Sequence, residues 1–76
     1  MISNMIRKWD YRMVATQLNQ YNEVEIVLDS YVEKQNHTGN VLSIMQSVGD
    51  DGWELVSLTY PSVFKTEMIF KRLRQY

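Results

Sequence analysis

Residues 40–60 read Asn40-Val41-Leu42-Ser43-Ile44-Met45-Gln46-Ser47-Val48-Gly49-Asp50-Asp51-Gly52-Trp53-Glu54-Leu55-Val56-Ser57-Leu58-Thr59-Tyr60, and the apolar period changes within them. In the first half Val41, Leu42, Ile44, Met45 and Val48 recur at helical spacing behind Asn40, a favourable N-cap. Gly49 is the expected left-handed residue closing that helix. Asp50-Asp51-Gly52 then turns the chain, and from Trp53 the alternation is that of a strand, halted by Pro61. A helix feeding directly into a strand points to the α+β class.

Working outward, residues 66–73 (Thr-Glu-Met-Ile-Phe-Lys-Arg-Leu) predict a second strand. The short link through Pro61-Ser62-Val63-Phe64-Lys65 makes it the antiparallel partner of the first. Upstream, residues 8–16 alternate through Trp9, Tyr11 and Met13 on one side and Asp10, Arg12 and Val14 on the other, again a strand. Residues 18–39 read two ways. Asn22 followed by Glu25 fits a capping box with Val24, Val27, Leu28 and Tyr31 on one helical face, and this reading is favoured. Val24, Ile26 and Leu28 also alternate as a strand would. The expectation is a single α+β domain over 1–76, in β-α-β-β order. It has a three-stranded antiparallel sheet, one helix on one face, and an insertion at 18–39 that carries a further helix. Placing the 66–73 strand centrally makes every neighbour antiparallel and brings both termini together.

Segments of this chain resemble the DUF4177 family of small bacterial and phage domains. The resemblance is carried by Lys8-Trp9-Asp10-Tyr11-Arg12-Met13-Val14, by Leu42 to Val48, by Gly49-Asp50-Asp51-Gly52-Trp53-Glu54-Leu55-Val56-Ser57 and by Phe70-Lys71-Arg72. The family pattern runs K-W-E-Y-K-V-V, then L-N-x-L-G-x-E-G-W-E-L-V-S, then F-K-R. Residues 18–39 are longer than the corresponding part of that pattern. The resemblance implies the fold; it implies no catalytic residue and no activity.

Composition narrows the function classes. Seventy-six residues make a thin core, which commonly needs a staple. There is no cysteine, and His37 is the only histidine, so neither a disulfide nor a structural zinc site is available. Self-association is the remaining staple. No run approaches the roughly 20 apolar residues of a membrane span, and Met1 to Lys8 lacks a signal-peptide core. The expected setting is cytoplasmic, with no membrane partner.

Chemistry has little to work with. Asp50, Asp51 and Glu54 lie close in sequence, but Asp51-Gly52 is read as a turn and Glu54 as a strand residue pointing away from Trp53. No metal site is expected. His37 sits in a polar loop without a partner, and no serine occupies a nucleophile elbow. The chain is read as non-catalytic and without a cofactor.

Two features point to binding instead. Trp9, Tyr11, Trp53 and Phe70 are expected to face the helix. That leaves Val14, Val56, Leu58, Tyr60, Ile69 and Leu73 on the other face of the sheet, as an oligomer interface. Charge is unevenly spread behind a net charge of −1: residues 1–12 sum to +2, residues 65–76 to +3, and the middle to −6. With the termini together, Arg12, Lys71, Arg72 and Arg74 can hold an anion while Trp9 or Tyr76 stacks on a base. The acidic balance disfavours general nucleic-acid binding. The first expectation is a homo-oligomeric interaction module with a protein partner. The alternative is a protein, encoded by a phage or a bacterium, that sequesters an anionic nucleotide-like molecule at a subunit interface.

Overall fold

The computed structural model describes residues 8–32 and 38–74. Its elements are β1 (Trp9–Leu18), β2 (Val24–Asp29), a two-residue β3 (Thr38–Gly39), α1 (Val41–Asp50), β4 (Glu54–Ser62) and β5 (Lys65–Leu73). The five strands form one antiparallel sheet ordered β3-β2-β1-β5-β4, with α1 as the helix of this α+β fold. The 66–73 segment does lie between its hairpin partner and β1.

The three-strand expectation is corrected by the segment around 24–29, which is strand rather than helix. A hairpin turn decides this. The Asn19 side-chain oxygen accepts from the backbone N–H groups of Tyr21 and Glu23, and its amide donates to Glu25. Asn19 is therefore the hub of the turn, and Asn22 adopts the left-handed conformation (φ 60°) instead of capping a helix. Asparagine tolerates that region better than most residues. The chain folds back, and β2 pairs with β1 from Leu18↔Val24 to Val14↔Asp29, with a bulge between Ala15 and Thr16.

Helix α1 starts as expected. The Asn40 side chain accepts from the Ser43 N–H, and the Ser43 hydroxyl accepts from the Asn40 N–H, a reciprocal capping box. It ends later than expected. Gly49 is inside the helix, Asp51 is the C-cap, and the positive-φ residue is Gly52 at +88°. The turn needs its left-handed residue at Gly52, so Gly49 has no conformational duty.

The core lies between α1 and one sheet face. Ile44 and Val48 of the helix pack with Val14, Ile26, Met68, Phe70 and Trp53. Register fixes which residues share that face, because paired residues point the same way and successive ones alternate. Arg12↔Phe70, Val14↔Met68 and Thr16↔Thr66 form the covered rows, joined by Ile26 opposite Thr16 and Leu58 opposite Met68. The Thr16 and Thr66 hydroxyls bond to each other inside the core. Both polar side chains are thereby satisfied, as burial requires.

Candidate functional site

The same alternation defines the uncovered face. Trp9↔Leu73, Tyr11↔Lys71, Met13↔Ile69 and Ala15↔Glu67 run along the two central strands, with Leu28 beside Ala15 and Ser57 beside Ile69. Trp9, Tyr11, Leu28 and Leu73 are exposed and Met13, Ala15 and Ile69 are half-buried. No described element covers them. The second, apolar face expected from the sequence is present, but its membership differs.

Ile69 and Leu73 stand on the open face as read from the sequence. Val14 does not: it is 0% exposed and sits at the centre of the covered core. Leu58 packs against that core as well. Val56 falls at the bulge between Leu55 and Ser57, and Tyr60 beside a second bulge between Thr59 and Ser62. Both are exposed on β4, the edge strand. In the other direction, Trp53 and Phe70 are buried as expected, whereas Trp9 and Tyr11 project from the open face, Tyr11 at 62% exposure. The sequence reading turned β1 over. Hydropathy assigns its larger aromatic side chains inward, while the structure buries Arg12, Val14 and Thr16.

Arg12 can be buried because Asp29 meets it. Its Nε and Nη2 donate to the two carboxylate oxygens of Asp29 at 2.9 and 2.5 Å, with both side chains almost fully enclosed. Burial pushes the Asp29 carboxyl up. The Arg12 hydrogen bonds and charge, with the Tyr31 and Val32 backbone N–H groups, outweigh that and hold its pKa below the ordinary value. Above this pair the Tyr31 and Trp53 rings meet edge-on at 4.8 Å between centroids. The Arg72 guanidinium lies 4.2 Å from the Trp53 centroid and 5.2 Å from that of Tyr31. It donates to the Tyr31 hydroxyl and to the Asp51 carbonyl. Arg12 approaches the same two rings at 5.5 and 5.7 Å. Two arginines and two aromatics thus form one cluster that ties the end of β2 and the Gly52 turn to the sheet.

This cluster reassigns part of the expected anion site. Arg12 is committed to Asp29 and is inaccessible to an external anion. Arg74 is ion-paired with Asp10 at 2.8 Å, at the surface. Lys71 caps the ring of Trp9 at 4.1 Å. Tyr76 and His37 lie outside the described residues. Even so, Trp9, Lys71, Arg72 and Arg74 line one depression of about 420 Å³, together with Leu73, Gly52, Asp51 and Glu54. It forms where β4 begins at Glu54↔Lys71 and leaves the last residues of β5 without a neighbour on that side.

Among the described residues, no three acidic or histidine side chains converge as a metal site, and no helix is long and apolar enough to cross a membrane. The sequence reading missed Tyr31, Asp29 and Leu28. The one signal available was an arginine at the buried parity of a strand, which demands a buried carboxylate somewhere else in the chain. No family model, curated protein or solved structure matches this chain.

Proposed function

We propose that this protein is a non-catalytic interaction module that works as a homo-oligomer joined through the open face of its sheet. One observation carries the reading: Trp9, Tyr11, Met13, Leu28, Ile69 and Leu73 form a contiguous apolar surface on the side away from α1. Four strands about 4.8 Å apart, three of them about 30 Å long and β2 about 20 Å, give a planar footprint of roughly 500 Å². That is on the order of the ~800 Å² of accessible surface each partner contributes to a standard interface. The occupant is a second copy because the charges on this face nearly cancel. Lys65 and Lys71 stand against Glu25, Glu54 and Glu67 by register, so a twofold-related copy meets no large field of its own sign. Membership of the DUF4177 family belongs to the same proposal.

Native mass spectrometry of the chain as purified tests it, with Tyr11→Glu as the comparison. Tyr11 is exposed and outside the core, so this variant retains the fold and its assembly loses one interface. A Tyr11→Glu protein with the same subunit number as the parent removes the reading.

A second reading is favoured by the depression at the start of β4. It gathers a stackable indole with Lys71, Arg72 and Arg74, and Trp9, Lys71 and Leu73 also belong to the open face. An anionic, nucleotide-like molecule held there would sit beside the interface, where such pockets commonly form. Asp51 and Glu54 oppose this, which places the reading second. Adenosine monophosphate and diphosphate are suitable probes: a ligand present at 100 times its Kd stabilises by about 2.7 kcal/mol. No thermal shift with either probe at millimolar concentration counts against this reading and leaves the first intact.

A further inference from the structure

The two edges of this sheet are not alike. On one side the sheet ends in β3, only two residues long, and shortness is a standard protection against unwanted pairing. On the other it ends in β4, nine residues long, with no described strand beyond it. An edge of this length presents a row of backbone N–H and C=O groups with no strand to receive them. Protection by charge is thin here. Within Glu54–Ser62 the one charged residue is Glu54, and there is no lysine. Leu55, Val56 and Tyr60 are exposed. Bulges at Val56 and between Thr59 and Ser62, with Pro61, twist or block both ends of the strand and leave Ser57 to Thr59 as the regular stretch open to pairing.

We infer that β4 pairs antiparallel with β4 of a second copy, extending the sheet across a twofold axis. Charge complementarity selects this occupant. The start of β4 is acidic, through Asp50, Asp51 and Glu54, and the far end lies beside Lys65, the cross-strand neighbour of Ser62. Antiparallel pairing about Leu58 sets the acidic start of each strand against the lysine end of the other. It also brings Ser57 of one copy level with Thr59 of its partner and Val56 beside Tyr60. Aromatic and β-branched residues are favourable neighbours in such a ladder, and no like charges meet within the strand. Parallel pairing would place the two acidic starts together and is rejected on that ground.

The edge contact is distinct from the face contact proposed above and does not rest on it. Both together give a four-chain assembly with perpendicular twofold axes; either alone gives a dimer. The experiment is native mass spectrometry of the full chain beside three variants, Val56→Lys, Tyr11→Glu and the double variant, each checked for fold by circular dichroism. Val56 lies outside the core cluster, and a lysine on an edge strand disfavours pairing. Val56→Lys is expected to halve the mass of the assembly and weaken it at least tenfold on dilution. Tyr60→Lys, on the same edge, serves if Val56→Lys does not fold. Hydrogen exchange gives a second reading: amides between Leu55 and Tyr60 that are protected in the assembly should exchange fast in Val56→Lys. An assembly unchanged in mass by both edge variants overturns the proposal, as does a monomeric parent. A single copy carrying the mass of a foreign peptide, with β4 protected, also overturns it, since the occupant is then another chain. Halving by Tyr11→Glu alone removes the edge contact and keeps the face contact.

Discussion

The central carbon of the Arg72 guanidinium stands 4.2 Å from the Trp53 ring centroid, while its two terminal nitrogens bond to the Tyr31 hydroxyl and to the Asp51 carbonyl. One side chain thus holds the Gly52 turn, the end of β2 and the indole in register. Lysine has no planar fork and cannot repeat this. Arg72→Lys should cost about 1–2 kcal/mol, combining a lost stacking contact with at least one lost hydrogen bond. Urea denaturation followed by circular dichroism measures it. A loss no larger than that of a surface substitution would show the stack to be ornamental.

Arg12 and Asp29 behave as a unit. Asp29→Asn strands a buried guanidinium and should cost roughly 3–5 kcal/mol, enough to unfold a domain with so small a core. Arg12→Met with Asp29→Leu removes both charges, and should be much less harmful than either charge left alone.

The same pair sets an acid limit. The Asp29 pKa is lower folded than unfolded, because burial is outweighed by Arg12 and two backbone donors. Its contribution is therefore complete above the unfolded value near 3.9 and is lost as pH falls through the lower folded value. Thermal midpoints measured from pH 6 down to pH 2 should fall more steeply for the parent than for the Arg12→Met, Asp29→Leu double variant. Equal slopes would assign acid sensitivity to other carboxylates.

Gly49 and Gly52 should respond to alanine with opposite signs. Gly49 is helical, and a Cβ there meets nothing within 4 Å, so Gly49→Ala should stabilise by about 0.5–1 kcal/mol. Gly52 sits at φ +88°, where a side chain is strained even though the nearest atom, Arg72 Cδ, is 3.7 Å away. Gly52→Ala should cost about 1–2 kcal/mol. Chemical denaturation of the two variants side by side distinguishes this from a helix ending at Gly49.

The facing of β1 is tested by neighbours of opposite parity. Met13→Glu and Val14→Glu introduce the same carboxylate on opposite sides of the sheet. Val14 is wholly buried, so Val14→Glu should abolish folding; Met13 faces the open side, so Met13→Glu should fold and affect assembly. Solubility and circular dichroism read the first, and subunit number the second.

Local signals in the chain were strong where one physical cause dominated. The Asn40 cap, the apolar stripe from Val41 to Val48 and the strand after Trp53 each have a single reading, and the structure carries all three, with a bulge at Val56 breaking the strand's alternation. The segment from Asn22 to Leu28 satisfies helix and strand patterns together, so local sequence could not separate them. What separates them is Asn19, whose side chain closes a turn only once β1 is there to be paired.

The sequence by itself determined the elements after residue 40, the antiparallel relation of the last two strands, and the existence of two apolar sheet faces above one short helix. Tertiary structure alone decided which face was which. Period two says that residues alternate, not which set goes inward. That choice fell to a partnership 17 residues apart: with Asp29 in place, burying Arg12 under Tyr31 and Trp53 is tolerable, and Trp9 and Tyr11 are turned outward. Long-range pairing of this kind leaves no trace in a local pattern, because the desolvation cost of Arg12 is met by a residue on another strand.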